Sequence, residues 1–256
     1  MKVVHSAQEL PSGCAFVPTM GALHDGHGSL FTIAAKLSDH VVASIFINPL
    51  QFENPDDLLK YPKTPDADIE LAKRCGVTHL WFPKYDEIYP QGFNSLKAGP
   101  IGDLFEGASR PGHFDGVVTV VNRLFTLVKP TFAIFGEKDF QQLKLVEAMA
   151  GDVKIIRGPI FREVDGLAMS SRNIRLSPEG RAVAPIIYKA LSAAKSESEL
   201  QELLKREALF ELDYATLIDE DTFLPANNES KRVRAIVAGW INGVRLLDNM
   251  QMEISA

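Results

Sequence analysis

Short apolar runs, rich in β-branched and aromatic residues, recur through the first part of the chain and alternate with longer stretches of helical character. CAFVPT (14–19), VVASIFI (41–47), THLWFP (78–83), TFAIFG (131–136) and VKIIRG (153–158) would carry apolar side chains on both faces of an extended strand. Such strands need cover on both sides, which a parallel sheet with helical crossovers supplies. Helical stretches fill the gaps at 26–38, 64–75, 116–129 and 139–150. The alternation predicts an α/β fold, a Rossmann-like doubly wound parallel sheet, with ligands at the carboxyl ends of its strands.

The rhythm changes after residue 160. A polar loop leads into helical stretches at 178–195 and 197–209, then into the strands YATLID, RVRAIVAGWI and VRLLDN. Helices followed by consecutive strands predict a smaller C-terminal α+β domain. Gly158 and Pro159 punctuate the chain, so the expected domains are 1–159 and 160–256. ENPDDLLKYPKTPDAD (53–68), polar and proline-rich, is expected to be a surface connection. No internal repeat or low-complexity tract is present.

Composition narrows the function. With 256 residues and 46% hydrophobic content, the chain can bury a large core and is not disordered. Its 27 basic and 33 acidic residues, net −6, argue against a nucleic-acid partner and for a small-molecule substrate. No signal peptide opens the chain and no apolar run approaches the roughly 18 residues of a membrane span, so a cytoplasmic protein without membrane contact is expected. Cys14 and Cys75, without CxxC spacing, are expected to be free thiols.

Polar groups then cluster at the strand exits. PTMGALHDGHGSL (18–30) follows the first apolar strand and opens a helix. Gly21 and Gly26 let backbone approach a ligand, and helix-start N–H groups attract an anion. His24 and His27, one turn apart, could each donate a ring N–H to phosphate oxygens; alternatively, one caps the helix and the other faces solvent. Asn48 and Gln51 leave the second strand as amide donors and acceptors, or as ordinary turn chemistry around Pro49. GEKDFQQL (136–143) offers Lys138 as a mobile cation with Gln142 one turn on, or a solvated charge cluster opening a helix. DGLAMSSRNIRLS (165–177) could wrap phosphate through hydroxyls, N–H groups and Arg172, or be a serine-rich helix entry. Arg110 and His113 sit in a glycine-rich loop that either closes over a site or sets a helix angle.

HxGH at a strand exit, combined with AMSSR (168–172), resembles the signature pair of adenylate-forming nucleotidyltransferases related to class I aminoacyl-tRNA synthetases. PTMGALHDGHGSL, SIFINPLQF, EGASRPGHFDGVVTVVNRLF, FGEKDFQQL and DGLAMSSRNIRLS resemble, in order and spacing, the motif blocks of the pantoate–β-alanine ligase family. The resemblance implies a HIGH-type nucleotidyltransferase fold and ATP-dependent condensation of pantoate with β-alanine through a pantoyl adenylate. It implies an ATP site at Met20, Gly21, Ala22, Leu23, His24, Asp25, Gly26 and His27, with His27 as proton donor and His24 beside it on the phosphates. Gly136, Glu137, Lys138, Asp139, Phe161, Met169, Ser170, Ser171 and Arg172 complete that nucleotide set, Lys138 and Arg172 being its cations. Gln51, Gln142 and nearby Asn48 match the pantoate and β-alanine contacts. Mg²⁺ is implied through phosphate oxygens with no protein metal site, and a homodimer is implied. Gly28, where the family usually has a large apolar residue, and Phe161, where it has a smaller one, depart from the pattern. Two other readings remain: a related enzyme acting on another acid, and a non-catalytic nucleotide sensor.

Overall fold

The computed structural model describes residues 1–53 and 55–252. They divide into two compact units: Met1–Glu137 with Gln141–Pro159, and Lys138–Phe140 with the chain from Ile160 onward. The three residues carrying Lys138 thus pack with the second unit, although the sequence assigned them to the first domain.

The first unit is built on a six-stranded parallel sheet: β1 (Lys2–Val4), β2 (Ala15–Thr19), β3 (Val41–Ile45), β4 (His79–Trp81), β5 (Phe132–Gly136) and β6 (Lys154–Gly158). The strand order is β1-β4-β3-β2-β5-β6, so the winding reverses between β2 and β5. Five of these strands fall on the predicted runs. The sixth, β1, is three residues at the sheet edge, too short for periodicity to reveal.

Helices α1 (Asp25–Ala35), α2 (Pro55–Leu59), α3 (Pro65–Arg74), α4 (Tyr85–Ile88), α5 (Glu106–Ser109), α6 (His113–Val128) and α7 (Phe140–Met149) connect the strands. One face of the sheet buries Ala15, Val17, Ala43 and Leu80 against Phe31 of α1 and Leu71 of α3. Each such large side chain contributes about 2 kcal/mol. Alternate residues, Phe16 and Val42, are fully buried on the other face, as the double winding demands. Helix α6 begins at His113, three residues earlier than predicted, after Gly112 in the left-handed region.

At the switch point the sheet parts. Strands β2 and β3 pair over five residues, from Ala15–Val41 to Thr19–Ile45, and β5 and β6 pair over five. Strands β2 and β5 pair only at Ala15–Phe132 and Phe16–Ala133, so their carboxyl halves separate. The crevice lies where ligands are bound in sheets of this winding.

The second unit stacks α8 (Pro178–Val183), α9 (Ile186–Ala193) and α10 (Glu197–Lys205) on an antiparallel sheet of β7 (Phe210–Asp219), β8 (Val233–Ile241) and β9 (Val244–Met252). Ala235, Val237 and Leu246 face Ile187, Leu191 and Leu204. The helix predicted over 178–195 is two helices, because Pro185 has no N–H to continue the ladder.

Helix α6 comes unusually close to the turn after β3. A Cβ built on Gly116 of α6 would lie 2.3 Å from the Leu50 carbonyl oxygen and 2.8 Å from the Gln51 nitrogen. Helix and turn meet backbone to backbone, so neither has a flexible side chain to give way. Gly116→Ala should cost about 1–3 kcal/mol, read as a lower denaturation midpoint at unchanged m. A wild-type midpoint would mean that the turn does not rest on α6.

Candidate active site

The loop after β2 reaches the helix start through backbone that few sequences allow. Gly21 has φ +85° and Ala22 φ +50°, turning the chain sharply between strand and helix. A carboxylate holds that turn. Asp68 of α3, 2% exposed, accepts from Ala22 N at 3.1 Å and Leu23 N at 2.8 Å, and from Thr64 Oγ1 at 2.9 Å. Asp68 lies at the end of the stretch expected to be mere surface connection, and its isolated position gave no signal of this role.

His24 is the N-cap of α1, with extended φ −137° and ψ 175°, and His27 stands at the third helical position. The His24 backbone N–H donates to His27 Nδ1 at 3.2 Å. A ring nitrogen that accepts is unprotonated, so the neutral His27 ring carries its proton on Nε2. The two imidazoles lie 4.1 Å apart between centroids, close enough that charging both is disfavoured. Asp25 points elsewhere, 3.7 Å from Arg74. Gly28 is buried against Cys75, whose Sγ would lie 3.0 Å from an added Cβ. The thiol fills the space beside Gly28.

After β3 the turn Pro49–Gln51 carries the second set. Gln51 Nε2 lies 3.1 Å from Met20 Sδ, so the exits of β2 and β3 converge. Asn48, expected beside Gln51 as a substrate contact, is instead fully engaged within the protein. It is 1% exposed, its Oδ1 accepts from Tyr89 OH at 2.7 Å and Leu50 N at 3.2 Å, and its Nδ2 donates to Gln51 Oε1 and Gly116 O, each at 3.1 Å. An amide making four hydrogen bonds has none left for a ligand. Burial raises the Tyr89 hydroxyl above the usual phenol range, with Tyr85 adding to the effect, so Tyr89 remains a donor to Asn48.

Arg110 and His113 lie at the tight turn that leads into α6, as one of the two readings expected, and both also reach the turn after β3. His113 Nδ1 donates to the Gln51 carbonyl at 2.8 Å, and Arg110 Nη2 reaches the same oxygen at 3.3 Å. Arg110 also pairs with Glu106 at 3.2 Å. Together they fix the backbone of the turn that presents Gln51.

Of the two glutamines opening α7, Gln141 is buried: it donates to Ile101 O and Leu104 O at 2.7 Å and accepts from Glu106 N at 3.2 Å. Gln142 beside it is half-buried. Gly136 ends β5 opposite Gly158. Glu137 and Asp139 flank Lys138 in a 3₁₀ turn that leads into α7.

In the second unit, Lys138, Ser170, Arg172, Tyr188 and Arg245 line one cavity, bringing Lys138 together with the distant Ser170–Arg172 segment, as expected of groups on one ligand. Lys138 Nζ lies 3.4 Å from Asp139 Oδ1. Ser170 Oγ accepts from Arg172 N at 3.3 Å, capping the 3₁₀ turn Ser171–Arg175. Met169 N donates to the Phe161 carbonyl at 3.0 Å, and Phe161 itself is 42% exposed. The Phe161 side chain is thus largely in solvent, and its carbonyl holds the Met169 amide.

A parallel sheet split at its switch point, with a glycine turn and a helix N-terminus at the opening, defines the class of α/β proteins that bind ligands at strand carboxyl ends. Comparison with known proteins gives the family. The pantoate-beta-alanine ligase family model matches residues 1–251. Pantothenate synthetase of Bdellovibrio bacteriovorus is 46% identical over 93% of this chain and 91% of its own length. That of Acidothermus cellulolyticus is 47% identical over 93% and 85%. The pantothenate synthetase structure from Thermus thermophilus superimposes with a TM-score of 0.91 at 42% identity, covering 98% of this chain and 99% of that one. The Francisella tularensis pantoate-beta-alanine ligase, solved with β-γ ATP and β-alanine, gives 0.85 at 35% identity, over 100% and 99%. The chain belongs to the pantoate–β-alanine ligase family.

The Asp68 anchor has a direct test. In Asp68→Asn one oxygen becomes an NH₂ group that cannot accept, so a backbone N–H of the loop loses its partner at a cost of about 1–3 kcal/mol. Amide exchange at Ala22 and Leu23 should accelerate while exchange in β6 stays slow. Unchanged protection at both amides would contradict the anchoring.

Proposed function

We propose that this chain condenses pantoate with β-alanine at the expense of ATP, releasing AMP and diphosphate, by way of a pantoyl adenylate. The observation that carries the reading is the convergence of Gln51 on Met20, which puts an acid-recognising amide beside the loop that leads to His24 and His27.

A carboxylate does not acylate an amine, because oxide is too poor a leaving group. In the first step a pantoate carboxylate oxygen attacks the α-phosphorus of ATP in line, and the bond to diphosphate breaks. In the second the β-alanine nitrogen attacks the acyl carbon and AMP leaves with the carboxylate oxygen. Both steps need positioning and charge stabilisation rather than a covalent enzyme intermediate.

His27 supplies a fixed Nε2–H donor to the phosphate region, and His24 stands beside it at the positive end of α1. The backbone from Met20 to Gly26 accepts the nucleotide, with Gly136, Glu137, Asp139, Phe161, Met169 and Ser171 contributing further surface. Lys138, Ser170 and Arg172 meet the phosphates with two cations and a hydroxyl. Gln51 and Gln142 bind the pantoate hydroxyls and carboxylate, and Asn48 holds Gln51 rather than touching substrate. Among the described residues no group of three or more His, Cys, Asp or Glu could hold a metal ion. Mg²⁺ enters with ATP, bound through phosphate oxygens, a role that rests on the family resemblance. No helix among the described residues is long and apolar enough to cross a membrane. A homodimer working in the cytoplasm on small molecules completes the proposal and rests on the family resemblance.

The decisive assay is ATP–pyrophosphate exchange that requires pantoate and not β-alanine. His27→Ala and Lys138→Ala should each lower it about 10²-fold or more with the circular dichroism spectrum intact. Folded wild-type protein without pantoate-dependent exchange would overturn the function. Exchange supported by a different acid would reassign its substrate.

A further inference from the structure

The second unit holds a buried polar chain that the proposed chemistry does not use. On β8 and β9, Arg234, Ile236 and Asn249 share the sheet face opposite the helices, because Ile236 pairs with Asn249 and Arg234 lies two residues along. Glu220, Arg234 and Asn249 are 3%, 6% and 2% exposed. Arg234 Nε donates to Glu220 Oε1 at 2.7 Å, and Arg234 Nη1 donates to Asn249 Oδ1 at 2.7 Å. Asn249 Nδ2 donates to the Lys138 carbonyl at 2.9 Å. The same guanidinium stacks 4.1 Å from the centroid of Phe140, whose ring also stacks with that of Phe223. The segment Lys138–Phe140 is thus gripped at both ends, by a hydrogen bond at its first carbonyl and by a cation on its last ring.

Burying an ion pair is an expensive way to hold a segment down, since apolar side chains of similar volume commonly do as well or better for stability. What apolar packing cannot do is set the rotation of one peptide plane. We propose that Asn249, oriented by Arg234 and Glu220, is a positioning residue for Lys138, fixing the backbone from which that ammonium reaches its ligand. A second pair supports the same strand: Arg162 holds Asp248 through both carboxylate oxygens, and Asp248 Oδ1 accepts from Asn249 N at 2.8 Å. Asn249 is therefore held from both its main chain and its side chain. The inference rests on the reading of Lys138 as a cation on the phosphates of ATP.

Asn249→Asp keeps the side-chain shape and an oxygen for Arg234 but cannot donate to the Lys138 carbonyl. In pantoate-dependent pyrophosphate exchange it should lower kcat at least tenfold and raise KM for ATP, leaving KM for pantoate unchanged. Leu204→Ala, in the core of the same unit, should lower Tm and leave all three constants at their wild-type values below the transition. The discriminating readout is a cycle: Lys138→Ala with Asn249→Asp should be no slower than Lys138→Ala alone, because a positioning residue then has nothing to position. Losses that multiply, or wild-type exchange in Asn249→Asp while Lys138→Ala is impaired, would overturn the positioning role alone. Wild-type exchange in Lys138→Ala would overturn the reading of Lys138 beneath it. If Asn249→Asp does not fold, Arg234→Lys, which keeps the charge against Glu220 and loses the fork that reaches Asn249, carries the same cycle.

Discussion

The parting of β2 from β5 is the constraint on which the rest of the first unit depends. Two residue pairs hold these strands together at their amino ends, and beyond Phe16 and Ala133 each pairs outward, β2 with β3 and β5 with β6. Backbone groups left unpaired in a sheet centre are costly unless something else satisfies them. A turn with positive φ at Gly21 and Ala22 therefore bends the chain away at once, and α1 begins within a few residues. The opening and the helix N-terminus at its edge are consequences of one topological reversal.

In each unit, buried polar side chains hold a main-chain group next to a residue proposed to face ligand. Asp68 holds the amides of Ala22 and Leu23; Asn48 and His113 hold the turn that presents Gln51; Asn249 holds the carbonyl of Lys138. In each case the buried group is satisfied, which avoids the cost of an orphaned donor or acceptor. For His27 the logic reaches the proton itself. The backbone bond to Nδ1 leaves Nε2 as the donor without a charged ring, which suits the phosphate contact proposed for it close to a second imidazole.

The fold was legible because a covered parallel sheet leaves a signature in every strand, apolar on both faces and separated by helix-length intervals. The short edge strand β1 and the break at Pro185 escaped, the first for want of length and the second because apolar periodicity runs through both α8 and α9. The residues proposed to face the ligand, His24, His27, Gln51, Lys138, Ser170 and Arg172, stand out in the sequence because glycine turns and strand exits mark them locally. Their supports do not. Asp68 sits in a polar, proline-rich stretch, Gln141 is one of two adjacent glutamines, and Asn249 and Arg234 are polar residues inside apolar strands whose partner lies far away in sequence. A support is defined by what it touches across the fold, and linear spacing carries no record of that. Asn48 shows the reverse error: its position at a strand exit suggested ligand contact, and only its four internal hydrogen bonds reveal a residue turned inward.

The most direct measurement is a crystal structure with a stable pantoyl-adenylate analogue. Its acyl phosphate should lie over the carboxyl end of β2, with a phosphoryl oxygen within hydrogen-bond distance of His27 Nε2, and its hydroxyls should meet the Gln51 amide while Asn48 stays bonded to Tyr89 and Gly116. An analogue bound away from the β2 exit, or a His27 ring turned so that Nε2 faces the protein, would contradict the proposed site.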